Sequence, residues 1–167
     1  VPPRKPGLSE EQLAAYEPLF RKWNDFFVEL RNEISRCYKE PKKFLRQAEK
    51  VVSNMQEVGR MLGYDLPAPG KPPEKAAGLT RFSLEQHHRF GSELCAEGRN
   101  SFMDMAMDVS RAYGKSKSLS KKLVACAFDT TDGIKSVLDD KVCAEYGAQI
   151  KNRGGDPTHV YYPPNPM

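Results

Sequence analysis

Lys39, Lys42, Lys43 and Arg46 flank one short connection in this chain, and Lys115, Lys117, Lys121 and Lys122 flank another. If consecutive helices run up, down, up and down, the two connections share an end, and these eight residues form one basic pole with Glu40 as its main offset. Helix dipoles account for cations such as Lys39 and Lys115, which follow helix C-termini. They do not account for Lys121 and Lys122, which sit where a helix starts. A pole of this kind attracts phosphates, anionic lipid or an acidic protein surface.

The four cysteines are the second candidate chemistry. In an up-down-up-down arrangement Cys37 and Cys126 lie near the same end, while Cys95 and Cys143 both lie in the other half. At ~100° per residue, Cys126 and Cys143 point about a quarter-turn apart, so each faces a different neighbouring helix. The spacing therefore predicts disulfides Cys37–Cys126 and Cys95–Cys143, and with them an oxidising, extracellular compartment. Four buried thiols are the plainer alternative. There is no C-x-x-C pair and no metal site is expected.

Other patterns are weaker. Glu85-x-x-His88 has the spacing of one half of a carboxylate-bridged di-iron site, but no second copy exists. Asp104 and Asp108 lie one helical turn apart and read as a solvated face. Gly91 and Gly98 each cost ~1 kcal/mol inside a helix, which suggests close helix packing or room for an apolar ligand. Met103, Met105 and Met107 spread around the same helix and could line such a ligand site. No nucleophile elbow, phosphate loop, dinucleotide fingerprint or zinc-protease motif is present, and neither catalysis nor a cofactor is expected.

The elements that position these residues follow from apolar spacing. Residues 1–8 read as an extended Pro-rich arm. Ser9 with Gln12 forms a capping box, opening a helix that Pro18 is expected to kink or restart before it runs to about Tyr38. A second helix begins after Pro41 and carries the cleanest stripe, from Phe44 to Leu62, with Gly63 as a left-handed cap. A Pro- and Gly-rich crossing loop follows. Ser83 with Gln86 opens a third helix reaching Gly114, and a fourth runs from about Ser120 to Arg153, with a weak point at Thr130–Gly133. The tail, 156–167, is irregular and rich in Pro and Tyr.

The predicted fold is thus all-α, an antiparallel up-down-up-down four-helix bundle over 9–155. Its 167 residues suit one domain, and 39% hydrophobic with 29% charged residues suits a wet surface. The net charge of +4 is too mild, without a known module, to point to nucleic acid. No apolar run approaches the ~20 residues needed to span a bilayer. The chain opens on Val1 with no apolar leader, which fits a removed leader or an excised domain. The sequence therefore predicts a secreted, disulfide-tied binding protein that meets a protein or anionic partner through its basic end. The alternatives are a carrier of lipid or fatty acid between helices, and a cytoplasmic adaptor acting at membrane surfaces.

Overall fold

The computed structural model describes residues 8–94, 99–113, 118–128 and 133–156. Among these residues the protein has six helices and no strand: α1 (Glu10–Cys37), α2 (Lys42–Met61), α3 (Leu84–Glu93), α4 (Arg99–Tyr113), α5 (Ser118–Phe128) and α6 (Lys135–Asn152). None is long and apolar enough to cross a membrane.

Both predicted capping boxes are formed, Ser9 with Gln12 and Ser83 with Gln86. Gly63 takes φ +87°, and the N–H groups of Gly63 and Tyr64 donate to Arg60 O and Gly59 O. That pairing satisfies carbonyls left over at the end of α2. α1 runs without interruption through Pro18, so the helix does not restart there. Pro18 and Ala14 are both exposed, so the carbonyl that loses its donor faces water. The third predicted helix is described as α3 and α4 and the fourth as α5 and α6, with 95–98 and 129–132 outside the described residues.

α1 and α2 lie antiparallel, tied by Gln56 Nε2 donating to Asn24 Oδ1 at 2.7 Å in a buried polar contact. The chain then climbs back beside α1. Tyr64 donates to Leu13 O, Arg31 to Pro69 O and Gly70 O, Ser35 to Pro73 O, and Ala76 N–H to Arg36 O. An extended segment covers ~3.3 Å per residue against ~1.5 Å in a helix, so this loop retraces α2 with slack. It delivers Phe82 to the end of α1, where its N–H donates to the Tyr38 hydroxyl.

From there α3 and α4 descend beside α1: Gln86 bonds Glu33, Arg89 bonds Glu29, and Tyr16 donates to Asp108. They run the same way as α2, so the up-down-up-down order is incorrect. α5 packs on α2 and α4, and α6 packs on α3.

The core is aromatic-rich. Trp23, Phe26, Phe27, Phe90, Phe82, Tyr38 and Phe44 form a run of ring contacts from α1 through α3 to α2, with centroids 5.1–6.1 Å apart. Each such contact adds ~0.5–1.5 kcal/mol beyond area burial. Met55, Met105, Leu123, Leu138 and Val142 complete the interior.

The helix order also removes the geometry behind the predicted Cys37–Cys126 disulfide. No disulfide is formed among the described residues: Cys37, Cys126 and Cys143 are thiols. Cys37 ends α1 and approaches Glu33, whereas Cys126 lies on α5, which packs on α2 and α4. Cys95 lies outside the described residues.

Candidate functional site

The turn joining α1 to α2 and the outer face of α6 enclose an open groove of about 790 Å³. α1 ends at Cys37, and Tyr38 leaves the helix in extended backbone, which turns its ring inward. Pro41 then precedes α2 without a side-chain cap, so Lys42 and Lys43 occupy the first helical turn beside Lys39. α6 supplies the opposite wall with Val137, Lys141, Ala144 and Glu145. These four recur at three- and four-residue steps and so share one helix face.

Lys39, Lys42 and Lys43 are exposed on the rim. Lys141 reaches over the floor, its ammonium 4.2 Å from the Tyr38 ring centroid and 5.3 Å from that of Phe44. A cation over an aromatic face gains ~0.5–1 kcal/mol or more as water is excluded. Among the described residues none of these four lysines forms an ion pair with a carboxylate. Glu40 and Asp140 also border the groove, and Glu145 closes its inner side.

Glu145 is committed inward. Its carboxylate accepts the Tyr38 hydroxyl at 2.9 and 3.1 Å and lies 2.8 Å from His87 Nε2. His87 is wholly buried, its ring packed edgewise against Phe82 and Tyr146. Arg81 donates to Glu145 O at 2.5 Å and stacks on the Tyr146 ring, whose hydroxyl donates to Phe82 O. Burial drives the Tyr38 hydroxyl far above its ordinary pKa. The Phe82 N–H opposes this shift and the Glu145 charge adds to it. The cluster binds α6 to the end of α1 and the start of α3, and holds one wall of the groove in place.

The structure brings together only part of the predicted basic set. Lys39, Lys42 and Lys43 line the groove, and Arg46 is exposed one turn further along α2. Lys122 is at the other end of the molecule, paired with Glu57 at 2.9 Å near the C-terminus of α2, and Lys121 is exposed beside it. Lys115 and Lys117 lie outside the described residues. The single pole is therefore not formed, because α5 starts at the end opposite the α1–α2 connection. Lys141 and Glu145 were not singled out from the sequence. The Val137, Lys141, Ala144 and Glu145 spacing marks a shared face, but nothing local says what that face meets.

The apolar candidates are also divided. Met105 is buried in the core, while Met103 and Met107 are 38% and 50% exposed. These two border a shallow groove of about 320 Å³ with Ala106, Ser110, Arg111 and Val124. Gly91 is buried in α3 and does not border it, and Gly98 lies outside the described residues. Glu85 and His88 are exposed, and Asp108 is engaged by Tyr16 and Arg111. No group of three or more metal-ligating side chains occurs among the described residues. Comparison with family models, with curated proteins and with solved structures finds no match to this chain.

Proposed function

We propose that this protein is a non-enzymatic binding protein that engages an anionic partner through the groove between the α1–α2 turn and α6. One observation carries this reading: four lysines that form no ion pair among the described residues converge on one concave surface, where Glu40 and Asp140 are the outward carboxylates and Glu145 is turned inward to Tyr38 and His87. Lysines in excess of the acids around one concavity give it a positive potential. The scaffold behind it is read as a helical bundle of four limbs, α3–α4 and α5–α6 each making one.

Titration of the ¹⁵N-labelled chain with hexaglutamate tests this. Amide shifts confined to 39–44 and 137–145 are the expected result. Equal shifts around Lys121 and Lys122 would mean that net charge alone attracts the peptide.

The compartment follows from the cysteines. With Cys37 and Cys126 as buried thiols, the disulfide basis for secretion falls away. We place the protein in a reducing compartment, acting as a helical adaptor. Protein isolated from its own host under non-reducing, denaturing conditions should take up one alkyl group per cysteine. A mass that changes only after reduction would restore the extracellular reading.

A further inference from the structure

The stretch of α4 from Ser101 to Arg111 is a ridge between two grooves. One, of about 450 Å³, separates it from α1 at Tyr16 and Leu19; the other, of about 320 Å³, separates it from α5 at Val124. Met107 and Arg111 border both. Met107 forms the crest, 50% exposed, and Met103 stands one turn before it at 38%. Apolar surface rimmed by polar residues marks contact sites, and methionine adapts its shape to what it meets.

Two charges frame these methionines. Asp104 is exposed and forms no ion pair among the described residues. Arg111 has 71% of its side chain exposed and stands 3.5 Å from Asp108 Oδ1. Asp108 is held from its other oxygen by the Tyr16 hydroxyl. Seven residues separate Asp104 from Arg111. At ~100° per residue the two lie on one strip of the helix, ~20° apart, with Met107 near the midpoint.

That strip is complementary to itself when reversed. A two-fold axis at right angles to α4, passing between Met107 and Asp108, turns a second α4 antiparallel and keeps the strip on the same side. Asp104 then meets Arg111 of the second copy, and Arg111 meets its Asp104. Each Met107 ridge fits beside the other, into a flanking groove. A parallel pairing would instead set Asp104 against Asp104.

We infer that the outer face of α4 is a self-association surface, on which a second copy of this chain packs antiparallel through Met103, Asp104, Met107 and Arg111. This face borders the N-terminal half of α1, away from the lysine groove, and the inference is independent of that groove's role.

The test is sedimentation equilibrium of the full chain from about 10 µM to about 1 mM, at low and high salt. A monomer–dimer equilibrium that weakens with salt is the expected result. Each charge pair occurs twice in a two-fold contact, so Asp104→Arg and Arg111→Asp should each weaken the dimer about tenfold or more. The double variant Asp104→Arg/Arg111→Asp pairs the charges again with their signs exchanged, and should regain most of that loss. Met107→Lys should also weaken association about tenfold or more, by placing a cation on the crest. Asp104, Met107 and Arg111 are all exposed, so these changes leave the core intact.

A chain that stays monomeric to about 1 mM would overturn the inference. So would a dimer indifferent to Met107, or a double variant no stronger than the two single ones. A monomeric chain whose Met103 and Met107 methyl signals shift with sodium octanoate would overturn it in favour of a fatty acid on this face.

Discussion

Tyr38 and Tyr64 make stability depend on alkaline pH in a definite direction. Burial raises the Tyr64 hydroxyl to about 12 from its ordinary value of 10.0, with the charge of Glu17 adding to the shift. Tyr38 is raised further, through burial and Glu145. A group that holds its proton more tightly when folded contributes stability that is complete below the unfolded pKa and lost as pH rises through the folded one. Stability should therefore be insensitive to these tyrosines below about pH 10 and decline from there to pH 12 and above. Urea midpoints measured at intervals across that range check it. Tyr38→Phe should flatten the decline at the cost of its bonds to Glu145 and Phe82 N–H. An equally steep loss in Tyr38→Phe would place the titrating group elsewhere.

Arg31 holds the longest irregular element. It is 4% exposed, and its guanidinium donates to Pro69 O, Gly70 O and Asn32 Oδ1. Removing it loses charged hydrogen bonds to the Pro69 and Gly70 carbonyls, each worth ~1.5–3 kcal/mol. Arg31→Met should lower unfolding free energy by about 2–4 kcal/mol and speed proteolysis within residues 66–80 ahead of the helices. A change below ~0.5 kcal/mol would mean that water replaces the guanidinium freely.

The same loop explains what sequence could and could not show. Ser9, Ser83 and Gly63 are local signals with local causes, and all three act as their neighbours predict. A restart at Pro18 was not decidable locally, because the cost of a proline depends on whether the carbonyl it displaces is buried, and that is a tertiary fact. The direction of α3 and α4 was illegible, because apolar periodicity records a face and carries no sense of travel. One misplaced direction then propagated. It set Lys121 beside Lys42 and Cys126 beside Cys37, where the structure places Lys122 and its neighbour Lys121 near the far end of α2 and Cys126 on α5, which packs on α2 and α4. Lys39, Lys42 and Lys43 were legible as a cluster contiguous in sequence. Lys141 and Glu145 were not, because they join that cluster only through the return of α6 to the end of α1.

At the scale of the whole molecule, a mild net charge of +4 conceals an uneven distribution. Lys122 is paired with Glu57, whereas Lys39, Lys42 and Lys43 are exposed and form no ion pair among the described residues, and Lys141 lies over the Tyr38 and Phe44 rings. Two variants with the same net charge separate the two clusters, Lys42→Glu/Lys43→Glu and Lys121→Glu/Lys122→Glu. Elution of both from phosphocellulose along a salt gradient is the most direct measurement. If the groove is the anion site, the first variant elutes at markedly lower salt than the second, which stays near the unaltered protein. Identical elution of the two variants would contradict the groove and leave only unspecific attraction to a basic surface.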